Sequence, residues 1–210
     1  MIIHRLISPT LACNCYILSP ANANGAVVVD PGDDTAGRIA ARLKKTGHEV
    51  AAVLATHGHP DHIWDADRVA GLRTVTLASA DHYRMDDPSG TLPPGFDFEL
   101  IATHPYRRAE RIADIPQHLH QGDGGQYVTG VPIRALAAPG HTEGSTVYLT
   151  VGELDGELAR EAGVAPDSSH PVLLSGDVLF AGSIGRTDLP GGDHEEMIAS
   201  LRTLAAVIDP

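Results

Sequence analysis

The stretch "LATHGHPDH", residues 54–62, sets three histidines and an aspartate within the seven residues THGHPDH, directly after an apolar run at residues 50–55. Such a run reads as a buried strand. Gly58 and Pro60 between the polar residues favour a tight, irregular turn over a helix. A turn of this kind can point His57 and His59 at one metal ion and Asp61 and His62 at a second. The spacing differs from H-E-x-x-H, in which a helix supplies its ligands at i and i+4.

Four candidates do not complete two metal sites, and two further strand ends supply the rest. "APGHTEGS" places His141 after the strand-like "IRALA", and "LLSGDVLF" places Asp177 after another apolar run. His57, His59 and His141 make a three-histidine site. Asp61 and His62 begin the second, with Asp177 as a carboxylate able to bridge both. Imidazole and carboxylate suit zinc, iron or manganese, so the ligand types leave the metal open.

Composition limits what such a centre can serve. The 210 residues suit one domain spanning 1–210, and 42% hydrophobic with 20% charged residues is ordinary for a soluble protein. A net charge of -12 disfavours a nucleic-acid surface and electrostatic docking on anionic membranes. No apolar run has the length of a membrane helix. The N-terminal "MIIHRLISPT" carries a charge and polar breaks, which makes it a poor signal peptide. Cys13 and Cys15 are the only cysteines, too few for a disulfide framework, and a reducing cytoplasm is expected. The pair reads as small buried residues on one strand face.

Along the chain, strand-like and helix-like segments interleave. "MIIHRLI", "ACNCYIL", "AVVV", "EVAAVLA", "TVTLA", "VPIRALA", "STVYLTVG" and "HPVLLSG" read as strands. "DDTAGRIAARLKKTG" reads as a helix capped by Asp33, Asp34 or Thr35 and stopped by Gly47. "IWDADRVAGL" is a short helix, and "DHEEMIASLRTLAAVI" the last one. Residues 79–130 read as a helix and a long covering loop, and the acidic insert at 152–169 as a solvated hairpin excursion. Strands such as "AVVV" need cover on both faces, which gives a layered α/β arrangement. The ligand-type residues follow strand ends, where the loops of such folds converge.

With "THGHPDH", "PGHTEGS", "SGDVLF" and "VVVDPG" in this order, the sequence resembles the metallo-β-lactamase superfamily over essentially its whole length. The resemblance implies a four-layer αββα sandwich, two mixed sheets face to face with helices outside and a metal centre at one edge. "LACNCYIL", "VDPG" and "AGSIGRTDLPGGD" resemble the short form of glyoxalase II, the hydroxyacylglutathione hydrolases. That likeness implies two divalent ions, most simply zinc, and a small-molecule thioester or ester attacked by a metal-bound hydroxide, with Asp61 orienting the nucleophile. Asp30, at a strand end that should face the site, can brace a ligand histidine or simply form the turn before Pro31, and the likeness implies that Arg186 contacts the glutathione backbone. Asp188 stands where the family has an aromatic residue, which counts against ordinary glutathione recognition, and Arg186 can equally pair with Asp188 or Asp193 and hold a loop. The family's last histidine belongs to a "PGHG"-like turn after the final helix. The chain reaches "VIDP" there, so continuation past Pro210 is expected to supply it. A mononuclear-iron persulfide dioxygenase using His57, His141 and Asp177 is the rival implied by the same fold.

Overall fold

The computed structural model describes residues 1–208. The chain begins with β1 (Ile2–Ile7), β2 (Asn14–Ser19), β3 (Gly25–Val29), α1 (Ala36–Thr46), β4 (Glu49–Leu54), α2 (Pro60–Ile63), α3 (Ala66–Ala70) and β5 (Val75–Thr76). It continues with β6 (Ile112–Ala113), β7 (Gly125–Val128), β8 (Val131–Ala137), β9 (Thr146–Leu154), α4 (Gly156–Ala162), β10 (Ser169–Leu174), β11 (Leu179–Phe180), β12 (Ser183–Ile184) and α5 (His194–Val207). Strands β6-β5-β4-β3-β2-β1 form one half of the sheet system, and β10, β9, β8 and β7 the other. The first half is mixed, with β3, β4, β5 and β6 parallel. The second is antiparallel. A two-residue parallel pairing of β1 with β9 joins them.

Alternation along the strands makes the layers. In β3, Ala26 and Val28 face one cluster with Ile39 and Leu43 of α1 and Val69 of α3. Val27 and Val29 face the opposite way, into a cluster with Val131, Ile133, Tyr148 and Leu174. The second sheet half turns Val147 outward to Met197 and Leu204 of α5. Period-two burial on both sheet faces therefore yields the helix, sheet, sheet, helix order that the resemblance implies. Among the described residues no helix is long and apolar enough to cross a membrane.

Three local expectations change. Thr35 is the residue before α1, yet its side chain caps nothing. The free N–H groups of Thr35 and Ala36 instead donate to Asp65 Oδ2, both at 2.7 Å. Residues 152–169 are not a hairpin: β9 runs on to Leu154, and α4 follows. Asp155 accepts from Leu158 N–H, Ala159 is buried, and Gly163 ends the helix in the left-handed region at φ 68°. Residues 79–100 hold three short 3-10 turns rather than an α-helix.

Asp65 is fully buried and also accepts from His104 Nε2 at 2.7 Å. Asp65→Ala leaves two helix-end N–H groups without a buried partner. It is expected to lower unfolding free energy by about 2–4 kcal/mol, read by urea denaturation at fixed metal content. A change below about 0.5 kcal/mol refutes this account of the cap.

Candidate metal centre

The ligand turn is fixed before any ligand is considered. Tyr148 Oη donates to the Ala55 carbonyl at 2.9 Å, and Thr146 N–H donates to the Thr56 carbonyl at 2.8 Å. The end of β4 is thereby tied to β9 across the layers. Asp30, at the end of β3, holds Thr56 from the other side: Thr56 N–H donates to Oδ1 at 2.7 Å and Thr56 Oγ1 to Oδ2 at 2.8 Å. Asp30 sits in the left-handed region at φ 51°, which aspartate tolerates better than most side chains.

These bonds decide where the imidazole protons lie. Thr56 has committed its hydroxyl proton to Asp30, so it accepts from His57 Nδ1, 3.1 Å away. The Arg186 carbonyl accepts from His141 Nδ1 at 2.8 Å. Both rings therefore present Nε2 lone pairs. These point at His59 Nδ1, at 3.1 Å from His57 and 2.8 Å from His141. A proton on His59 Nδ1 can satisfy only one of them, and His59 Nε2 is buried without a partner. Burial, then the neighbouring imidazoles, push His57 well below the ordinary histidine value. Burial with His141 and Arg84 takes His59 to about 2, and burial also lowers His141. Three buried neutral imidazoles with converging lone pairs fit a divalent cation.

A second group adjoins the first. His57, His62 and Asp177 have ligand atoms within 4.8 Å of one another. Asp177 divides its oxygens, Oδ1 lying 3.2 Å from His62 Nε2 and Oδ2 3.6 Å from His141 Nε2. Asp61 Oδ2 stands 3.6 Å from His62 Nε2 and adjoins this group through that ring. His62 Nδ1 donates to Asp30 Oδ2 at 3.0 Å, which turns its Nε2 toward the two carboxylates. Burial opposes charge on His62, but the acidic groups Cys13, Asp61, Asp177 and Asp30 outweigh it and hold its pKa well above normal. Burial would raise Asp177, but His62, His141 and His59 bring it to about 2. Asp61 is raised, chiefly by burial. The turn expected over residues 58–62 is half helix: Pro60 opens α2, so Asp61 and His62 occupy a helical turn.

Of the sequence candidates, His57, His59, His62, His141, Asp61 and Asp177 come together, and Asp30 holds His62 directly and His57 through Thr56. Arg186 is different. Its guanidinium is exposed and bonds Asp188 through Nε and Nη2, both at 2.7 Å, while its carbonyl serves His141. Asp81 and Arg84 were not legible as site residues. The buried Asp81 accepts from Gly58 N–H, Thr142 Oγ1 and Gly144 N–H, each at 2.8 Å, and so joins the turn after β4 to the loop after β8. Arg84, also fully buried, bonds Asp81, Glu143 and the Pro190 carbonyl. A side chain at Gly58 would meet Arg84 Cβ at 2.8 Å, so this glycine is needed for the close approach. No motif flags a residue whose partners lie twenty or sixty positions away.

Asp81→Ala is expected to lower both the unfolding midpoint and bound metal, since two ligand loops lose a shared acceptor. Asp81→Asn keeps one acceptor oxygen and loses less. Metal analysis after equilibrium dialysis reads the effect; unchanged metal content in Asp81→Ala rules out the brace. Asp30→Asn is expected to weaken metal binding by about 10–100-fold, measured by competition with a chromophoric chelator. Unaltered affinity would show that Asp30 only forms a turn.

The family model of the metallo-beta-lactamase superfamily matches residues 8–153. The probable metallo-hydrolase YqgX of Bacillus subtilis is 30% identical over 91% of this chain and 77% of its own. Hydroxyacylglutathione hydrolase GloC of Haemophilus influenzae is 28% identical over 90% and 77%. Among solved structures, the B3 metallo-beta-lactamase BLEG-1 superposes with a TM-score of 0.65 at 28% identity, over 95% of this chain and 83% of that one. TTHA1623 in a di-iron-bound form superposes at 0.68 with 23% identity, over 97% and 86%, and speaks for the fold alone. With the family model matched over residues 8–153 and ligand-type histidines and aspartates gathered at its strand ends, the chain belongs to the metallo-beta-lactamase superfamily.

Proposed function

We propose that the chain is a metal-dependent thioester hydrolase of glyoxalase II type, acting in the cytoplasm. The observation that carries this reading is the division of the Asp177 carboxylate between His62 and His141, which sets a bridging oxygen pair between two ligand groups. His57, His59 and His141 would hold one ion, and His62, Asp61 and Asp177 the other, with Asp177 shared. Zinc is the proposed ion on the glyoxalase II likeness; the nitrogen and carboxylate donors suit it, as they also suit iron or manganese. The likeness to GloC supports the thioester class, and the two unpaired cysteines accord with a reducing compartment.

Bound divalent ions supply an acidified water and an electrophile for the carbonyl. The chain's own residues do the remainder. The Thr56 and Arg186 acceptors keep His57 and His141 in one tautomer. Asp61 orients the attacking water and takes its proton, standing beside His62 at the mouth of the site. Water oxygen joins the acyl carbon, the carbon–sulfur bond breaks, and the departing thiolate receives the proton. A thiolate needs no strong acid to leave, and no side chain is assigned that role.

Release of thiol from S-lactoylglutathione and simple thioesters by the zinc-loaded protein tests this. Asp61→Asn is expected to lower kcat by about 100-fold or more, with metal content measured in parallel. Absence of turnover on every thioester and ester with two ions bound sinks the proposal. So does a single iron with oxygen uptake and sulfite formation from glutathione persulfide, which is the dioxygenase outcome.

A further inference from the structure

Two cavities open onto the centre and meet at Leu11, Asp61 and Asp177. One, of about 340 Å³, lies beside His62 and reaches Leu179 and Phe180. The other, of about 260 Å³, lies over His59 and His141 beneath Leu92, Phe96 and Leu189. Leu11 and Phe96 are more than a third exposed and, with Leu92, Pro93 and Leu189, make the lining over His59 and His141 largely apolar; the cavity beside His62 is largely polar, with Asn14, Ser175 and the site carboxylates besides Leu179 and Phe180. Scattered exposed apolar residues mean little, but an apolar lining over a reactive site marks where an apolar ligand is buried.

Charge points the same way. Among the described residues, neither cavity is lined by a lysine, and Arg186 is the one arginine. Its fork is filled by Asp188, in the bidentate geometry that a ligand carboxylate would need. Glutathione brings two carboxylates. Here, with the Arg186 fork filled, neither cavity offers a lysine or an unpaired arginine to receive them.

We infer that this site takes an uncharged thioester or ester with an apolar acyl chain, rather than a glutathione thioester. The inference rests on the hydrolase reading and narrows it. The acyl chain lies along the apolar lining, and the thiol or alcohol portion needs no anionic group.

A two-by-two panel tests it: lactoyl and hexanoyl thioesters, each on glutathione and on the uncharged thiol N-acetylcysteamine, with the zinc-loaded protein. The hexanoyl ester of the neutral thiol is expected to exceed lactoylglutathione in kcat/KM by at least about tenfold, since each buried methylene is worth several-fold. Phe96→Ala is expected to raise KM for the hexanoyl esters more than for the lactoyl ones. Asp188→Ala, by freeing Arg186, is expected to lower KM for the glutathione esters. Equal or better turnover of lactoylglutathione, or no dependence on acyl chain, overturns the inference and leaves the hydrolase reading standing. Calorimetry with the uncleavable S-hexyl thioethers of the two thiols separates the remaining case. Preferential binding of the neutral thioether, without turnover of any ester, supports the apolar site and sinks the hydrolase; binding of neither, or of the glutathione thioether preferentially, overturns the inference.

Discussion

The centre depends on where three imidazole protons are kept. A histidine can offer a lone pair to a cation only if its proton sits on the other nitrogen, and in a buried site that nitrogen needs an acceptor. His57 finds one in Thr56, which is itself oriented by Asp30. His141 finds one in the Arg186 carbonyl. His59 finds none, and its buried Nε2 remains unpartnered. Two of three tautomers are thus set by the surrounding chain, which brings their free nitrogens to 2.8–3.1 Å from the third. Without a cation at least one of these lone pairs lacks a donor, and a divalent ion would supply the missing partner.

Rigid strand ends make this possible. Asp30, Thr56, His141 and Asp177 all follow strands, and two carboxylates lock their loops. Asp30 ties β3 to the turn after β4 and reaches His62. Asp81 ties that turn to the loop after β8. Neither carboxylate touches the converging nitrogens, yet each loses only if the two loops separate. A buried carboxylate that accepts three bonds is well satisfied, and the unfavourable case is removal of one partner.

The legible part of the molecule was what repeats locally. Strand burial in "AVVV" and "VAAVLA" follows from period-two packing, and "THGHPDH" announces its ligands because four donors after a buried strand have few other uses. The layered fold came from the family resemblance and from alternation read on both faces. What failed was governed by distant partners or by short length. Thr35 looked like a cap, but Asp65 lies close enough to take both N–H groups. The acidic segment at 156–162 hid a helix because seven residues carry too little apolar periodicity against so many charges. Asp81 carries no local signal, because the groups it holds lie at Gly58, Thr142 and Gly144.

Arg186 shows how one residue can hold two readings and let geometry choose between them. Its side chain is a ligand-binding candidate by position, but Asp188 occupies the guanidinium in the plane a carboxylate would use. Its backbone, by contrast, fixes His141. A residue at this position can therefore be retained for its carbonyl and loop path while its side chain is withdrawn from ligand recognition. With that cation neutralised, the apolar lining of Leu11, Leu92, Phe96 and Leu189 is left as the surface over His59 and His141 that a substrate can bury. Burying such area is non-directional and selects for size and polarity rather than for a particular functional group. In the proposed hydrolase, ions held by the ligand cluster would fix the scissile carbonyl, and the lining would select what is attached to it.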